Sequence, residues 1–171
     1  TGSTRDGRTY VIKSIWVTGV LDEDPQADLA DPKEGFGTFF ALVLDKQANG
    51  ATITSENVYI NPSTLNQGMI PHPFRNLAQS RRYKILDSQY VDNKGMYGFN
   101  DNAGTTNFTG SIITQTAGSV NLNWKGTIQV ETKGTTANVT SVVDNAVHLL
   151  AFKGSAATTS FIGKSRVRFI G

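Results

Sequence analysis

Cysteine is absent from the 171-residue chain, and histidine occurs only twice. The first absence excludes a disulfide framework, a cysteine nucleophile and a thiolate metal site. The two histidines, His72 and His148, lack the close spacing to another histidine or a carboxylate that a zinc site shows. We therefore expect no metal and no cofactor, and we interpret His148, which lies inside an apolar run, as a structural residue.

Long hydrophobic runs are missing as well. No stretch approaches the roughly 20 apolar residues that a membrane-spanning helix needs, so we expect no membrane partner. The first residues lack the charged and apolar regions of a secretory signal peptide. A nucleophile elbow, a P-loop and a glycine-rich dinucleotide turn are also absent from the sequence. We expect no enzyme activity.

The chain is instead rich in Thr, Ser, Asn and Gly, with short β-branched or aromatic runs between turn residues. This pattern is typical of an all-β sandwich or barrel, and the length suits one domain. We predict that residues 1–171 form a single eight-stranded jelly-roll sandwich. The predicted strands are 10–18, 36–44, 57–60, 82–91, 108–114, 120–132, 146–152 and 161–170.

Two of these strands carry informative patterns. Residues 36–44 are almost continuously apolar, which favours a central strand covered on both faces. In the last strand Phe161, Val167 and Phe169 alternate with Arg166 and Arg168, which predicts one apolar and one basic face. Trp16 and Trp124 lie within strand patterns, and we expect both in the core.

The sequence also predicts where turns and loops lie. Residues 45–50 contain an Asn-Gly pair and predict a turn. Residues 61–80 predict a long loop with one helical turn near 74–78. A loop of this length in a compact domain usually has a function.

Charge is distributed in blocks, although the net charge is only +2. Residues 22–34 hold six acids and one lysine, whereas residues 75–84 hold four cations and no acid. Each block can be a solvated face, or the two can pair across a subunit interface. A divalent ion at such an interface stays open, although the acidic segment does not fit the calcium-loop pattern. The predicted interface residues are Asp22, Asp24, Asp28, Arg75, Arg81 and Arg82.

Three segments together resemble one protein family. They are 42–51, 81–87 preceded by 75–77, and 165–169 soon after the apolar strand 147–152. In this order they are similar to the capsid proteins of small circular single-stranded DNA viruses, including geminivirus and satellite-virus coat proteins. The resemblance implies a jelly roll of which about sixty copies close into the smallest icosahedral shell around the genome. It also implies an unknown host receptor, and a location in the virion and, during assembly, in the host nucleus.

The family usually begins with a long basic arm, and here few cations stand near the start. Either that arm precedes Thr1 and carries most of the contact with single-stranded DNA, as we expect, or the protein binds nucleic acid weakly. Within the chain, packaging requires neutralisation of phosphates more than reading of bases. Each cation can alternatively pair with a neighbouring carboxylate. The predicted nucleic-acid contacts are Arg5, Arg8, Lys13, Arg166 and Arg168.

Two other functions compete with this interpretation. The first is a jelly-roll carbohydrate-binding, lectin-like module, for which Tyr97 and Phe99 could supply exposed aromatic rings. The second is a hydrolase on the same fold, which the lack of any nucleophile and base pattern disfavours. Particle formation would favour the shell, and glycan binding by a monomer would favour the module.

Overall fold

The computed structural model describes residues 9–23, 37–60, 63–64, 68–69, 73–92, 118–133, 141–153 and 159–170. These residues are mostly β-strand, which confirms the all-β class. The elements are β1 (Thr9–Glu23), β2 (Gly37–Asp45), α1 (Ser55–Val58), β3 (Ser63–Thr64), β4 (Gly68–Met69), a 3-10 turn (Leu77–Gln79), β5 (Tyr83–Asp92), β6 (Gly118–Thr132), β7 (Val142–Asp144), β8 (Ala146–Lys153) and β9 (Thr159–Ile170).

Seven of these strands form two antiparallel sheets. The four-stranded sheet has the order β7-β6-β1-β9 and the three-stranded sheet the order β5-β2-β8, while β3 and β4 form a separate short pair. The prediction of eight strands is therefore corrected to seven in the described sheets. The predicted strand at 108–114 lies outside the described residues, and β7 was not predicted.

The main core lies between the two sheets. In β1, Ile15, Val17 and Leu21 alternate with outward-facing residues and are buried against the other sheet. Val120 and Leu122 of β6 are fully buried in the same cluster. Burial of each such side chain contributes about 1.5–3 kcal/mol, so this period-two alternation fixes the register of the long strands.

Strand β2 is buried on both faces, as its continuous apolar sequence predicted. Phe40 and Leu42 face the four-stranded sheet. Phe39, Ala41 and Val43 face the other way and belong to a second core cluster. That cluster is closed by residues of the 53–59 segment, chiefly Ile53, Val58 and Tyr59. The three-stranded sheet therefore carries a covering layer on its outer side.

The predicted strand at 57–60 is wrong, because residues 55–58 form the short helix α1. Asn57 Oδ1 accepts a hydrogen bond of 2.9 Å from the backbone N–H of Thr54. This contact is half of a capping box, which favours the start of a helix over a strand. Tyr59 then pairs with Arg75 through an isolated β-bridge, so only the end of the predicted strand is extended.

Side chains of β5 protect the outer edge of β6. Strand β7 pairs with β6 only at Glu131 and Thr132. Further along β6, Gln89 Oε1 accepts from the N–H of Asn121 and Asp87 Oδ2 accepts from the N–H of Asn123, both at 2.7 Å. These bonds satisfy edge N–H groups and tie the two sheets together.

The predicted turn after β2 is confirmed. Asp45 Oδ1 accepts a 3.0 Å hydrogen bond from the N–H of Gln47, and Asn49 Oδ1 accepts one of 3.2 Å from the N–H of Ala51. Gly50 has a φ of 77°, which glycine adopts without a steric cost. Both side-chain contacts are the local bonds that favour Asp and Asn in turns.

A candidate nucleic-acid interface on the four-stranded sheet

The outer face of the four-stranded sheet carries the three predicted nucleic-acid contacts that the structure describes, which are Lys13, Arg166 and Arg168. Trp16 of β1 pairs in register with Asn123 of β6 on one side and Arg166 of β9 on the other. The rows above and below it are built in the same way. We call the following nine residues the basic face: Lys125, Ser14 and Arg168 in the first row, Asn123, Trp16 and Arg166 in the second, and Asn121, Thr18 and Lys164 in the third.

The side chains of this face point outward because their strand neighbours point inward. Ile15 is buried, and Trp124, its partner in register on β6, packs against the same core. Val167, its partner in register on β9, shares this side of the sheet but stays 44% exposed. Alternate residues of a strand lie on the same side and about 6.8 Å apart. Each row therefore presents one or two cations, and β9 repeats a cation at every second residue.

Trp16 is exposed, so the prediction that it belongs to the core is wrong. Its side chain retains 41% of its accessible surface. The indole Nε1 donates a 2.8 Å hydrogen bond to Oδ1 of Asn121, and Cζ of Arg166 lies 5.4 Å from the ring centroid. The hydrogen bond and the cation–π contact fix the orientation of a large aromatic surface that solvent reaches. Trp124, by contrast, packs against the core as predicted.

Lys13 extends the basic face at the irregular point of β1. The register shifts between Ile12 and Ser14, against both β6 and β9. Lys13 Nζ donates a 3.2 Å hydrogen bond to Oγ1 of Thr127, a residue that alternates with buried Ile128. Five cations thus share this side of the sheet: Lys13, Lys125, Lys164, Arg166 and Arg168.

The carboxylates near this face are few. In the part of the chain that the structure describes, none of the five cations forms an ion pair, since the single pair there joins Arg82 and Asp45. Asp87 lies at the lateral edge of β6 and accepts from a backbone N–H. Glu131 pairs in register with Thr9, far from the central row. The positive charge of the face is therefore not neutralised by its described neighbours, which makes it suited to an anion.

Sequence reasoning missed two cations of this face. Lys125 and Lys164 lie in strands that were predicted, but the sequence does not show which strands are neighbours. The pairing of β1 with both β6 and β9 brings the two lysines beside Arg166 and Arg168. Arg5 and Arg8, the other predicted contacts, lie outside the described residues.

The predicted interface residues do not form one cluster. Arg82 pairs with buried Asp45 inside the chain, and Arg75 Nη2 donates to the carbonyl of Tyr83 at 2.6 Å. Arg81 is exposed. Asp22 pairs in register with Ser160 at the end of β1. Asp24 and Asp28 lie outside the described residues.

His148 lies inside strand β8, but its imidazole is not fully hydrogen-bonded. It pairs in register with Val43, and its Nε2 atom is buried with no hydrogen-bond partner among the described residues. Burial lowers the pKa of His148, while the nearby Asp45 carboxylate opposes this shift only in part. At neutral pH the imidazole is uncharged. His72, Tyr97 and Phe99 lie outside the described residues.

Among the described residues, no group of three or more His, Asp or Glu side chains could hold a metal ion. None of the helices in the described ranges is long and apolar enough to cross a membrane. Comparison with models of known protein families gave no match, and comparison with curated proteins gave none either.

Proposed function

We propose that this protein is the shell subunit of a small viral capsid, a jelly roll that binds single-stranded DNA through the basic face. The observation that carries the proposal is the central row, in which exposed Trp16 lies beside Arg166 between two further rows of cations. Cations neutralise phosphates, and an exposed aromatic ring stacks on any base. This combination suits binding of single strands without sequence preference.

The arrangement favours a single strand over a duplex. An exposed indole contributes to binding only when a base is unpaired and free to stack on it. The amide and hydroxyl groups of Asn123, Ser14 and Thr18 lie among the cations and can hydrogen-bond to phosphate or sugar oxygens. The face has the width of three strands, about 10–15 Å, which suits one extended strand.

The sandwich also suits a shell subunit. Its two sheets form a rigid body whose strands are locked by a shared core. A closed cubic shell requires such a body to present different contact surfaces around several axes. The resemblance of segments 42–51, 81–87 and 165–169 to the coat proteins of circular single-stranded DNA viruses supports this assignment, with about sixty copies in one particle. We expect the subunit to catalyse no reaction.

The DNA-binding half of the proposal is tested by salt dependence. For the full chain, the affinity for a fluorescent oligonucleotide is measured by anisotropy over a range of salt concentrations. For single strands, the logarithm of the association constant falls linearly with the logarithm of the salt concentration, with a slope of about −0.7 per phosphate contact. The Arg166→Gln and Arg168→Gln variants should each reduce the magnitude of the slope by about 0.7.

Lys46→Gln is the matched control, because Lys46 is an exposed cation in the turn after β2 and not on the basic face. Its slope should equal that of the wild type. If the slopes of the Arg166→Gln, Arg168→Gln and Lys46→Gln variants all equal the wild-type slope, the basic face does not contact DNA.

The assembly half is tested by light scattering behind a sizing column. A species on the order of 1 MDa would match about sixty copies in a cubic shell. A monomer that binds glycans would instead favour the carbohydrate-binding module, in which Trp16 would contact a sugar.

A further inference from the structure

Three large apolar side chains are exposed outside the basic face, where residues 59–60 pair with residues 74–75 and the 3-10 turn follows. Ile60, Phe74 and Leu77 retain 51%, 77% and 74% of their accessible surface. Ile60 and Phe74 are joined by a 2.8 Å hydrogen bond from the N–H of Ile60 to the carbonyl of Phe74. Together with exposed Arg81 we call these residues the docking platform. Exposed apolar groups of this size mark interaction sites when they are held together.

The platform is held in place by its surroundings. The N–H of Asn76 donates to the carbonyl of Val58 at 2.8 Å, and Asn76 Oδ1 accepts from the N–H of Ala78 at 3.2 Å. Arg75 stabilises the turn, because its Nη2 donates hydrogen bonds to the carbonyls of Tyr83 and Ser80. Beneath it, Val58 is buried in the second core cluster. A surface that is already ordered loses little conformational entropy when a partner binds.

Adjacent arginines have different surroundings at this platform. Arg82 turns inward and forms two hydrogen bonds with the Asp45 carboxylate. Arg81 is exposed and forms no ion pair within the described residues. It follows the 3-10 turn that carries Leu77. The platform therefore combines an apolar surface with a positive charge that no carboxylate of the described residues pairs.

A complementary sequence exists in the same chain. Residues 24–34 contain Asp24, Asp28, Asp31 and Glu34 around Leu29, with Lys33 as the single cation. A leucine flanked by acids matches a surface of apolar side chains flanked by an arginine, in both polarity and charge.

The acidic segment joins β1, which ends at Glu23, to β2, which starts at Gly37. Arg81 lies near Asp45 at the other end of β2, because the N–H of Lys46 bonds to the carbonyl of Arg82. The eight residue steps of β2 cover about 27 Å. In a closed shell, different surfaces of neighbouring subunits meet, so the occupant that matches this surface in charge is the acidic segment of a second copy.

We propose that the docking platform binds the acidic segment 24–34 of a second copy of this chain. The inference rests on the proposed shell function and names one of its contacts. Phe74 and Leu77 are the apolar anchors, and Arg81 pairs with the acids. Because platform and segment are different surfaces, the contact is head-to-tail, the type that closes into rings around a symmetry axis.

The anchors are tested first, by sedimentation of the full chain over a range of concentrations. Leu77→Asn and Phe74→Ser should each weaken self-association about tenfold or more, as loss of an interface anchor does. Ile162→Asn is the matched control, because Ile162 is 74% exposed, as Leu77 is, but lies in β9. Oligonucleotide binding is measured in parallel to show that each variant is folded.

The pairing of Arg81 with the acidic segment is tested by exchanging the two charges. Arg81→Glu should weaken association, and Asp28→Arg in the same chain should restore part of it, since the two sites couple only if they meet. Wild-type-like association of the Leu77, Phe74 and Arg81 variants would overturn the docking contact and leave the shell function standing. A wild-type monomer at every concentration would overturn both, whereas DNA binding would still test the basic face separately.

Discussion

Arg82 donates hydrogen bonds from Nε and Nη2 to the two carboxylate oxygens of Asp45, each at 2.9 Å, and Asp45 is fully buried. The pair joins the last residue of β2 to the residue that precedes β5. Burial alone would raise the pKa of Asp45, but the hydrogen bonds from Arg82 and from the Gln47 N–H, with the charge of Arg82, lower it. The ion pair therefore holds the Asp45 carboxylate ionised within the protein.

Replacement of Arg82 should destabilise the fold. Arg82→Ala leaves the Asp45 charge buried without its partner, and loss of one member of a buried pair costs about 3 kcal/mol or more. We expect a decrease of this size in the free energy of unfolding, measured by urea denaturation. Arg81→Ala, at the exposed neighbouring arginine, should change it by less than about 0.5 kcal/mol. Equal effects of the two substitutions would contradict the structural role of the pair.

Stability should decrease on acidification below about pH 6.5 because of His148. Burial lowers the pKa of the folded imidazole, so the unfolded chain takes up the proton first as the pH falls. The contribution of His148 is thus complete above the unfolded pKa and is lost as the pH falls through the folded pKa. The lowered pKa of Asp45 gives the same sign of effect, but only below its ordinary value of 3.8.

The measurement is the free energy of unfolding between pH 7.5 and 5. His148→Gln should flatten this part of the profile, whereas His72→Gln should retain its slope. A steep profile in the His148 variant would show that another group causes the acid sensitivity.

Trp16 should contribute to DNA binding by stacking on an unpaired base. Removal of a stacking aromatic costs about 1–3 kcal/mol per base, so Trp16→Ala should weaken oligonucleotide binding by about one order of magnitude or more. In a Trp124→Phe background, the remaining Trp16 fluorescence should change when DNA is added. Unchanged fluorescence together with unchanged affinity would exclude stacking on this ring.

Gly19 should not tolerate a side chain. A methyl group added there would lie 2.5 Å from Cε2 of Phe161 and 2.6 Å from the carbonyl oxygen of Ile162. The second contact is with backbone and cannot be relieved by a side-chain rotation. Gly19→Ala should therefore cost about 1–3 kcal/mol, the range for overpacking. Thermal melting checks this, with Thr18→Ala on the outer face as the control. Equal melting temperatures for the two variants would contradict the close packing.

The sequence predicted the strands best where burial imposes a simple pattern. Continuous apolar residues identified β2, and alternation identified the two faces of β9. Trp16 was misassigned because it was judged by its residue type, although the buried neighbours Ile15 and Val17 place it on the outer face. The helix α1 was missed because the local Thr54–Asn57 contact decides that segment, and β-branched content does not reveal such a contact.

The candidate site was predicted only in part because it depends on strand neighbours. Arg166 and Arg168 could be placed on one face from their own strand. Lys125 is about forty residues away in sequence and joins them only through the β1 pairings. The inward turn of Arg82 also depends on a partner 37 residues away, and nothing local distinguishes it from Arg81.

In the described sheet β9 is an outermost strand, and Lys164, Arg166 and Arg168 lie along it. Cations on an outermost strand hinder the addition of another strand, because like charges of two molecules would meet. The charges that attract a polyanion therefore also keep copies from stacking strand to strand in its absence. Neutral variants at these positions need a solubility measurement beside the affinity measurement, since aggregation alone would imitate a loss of binding.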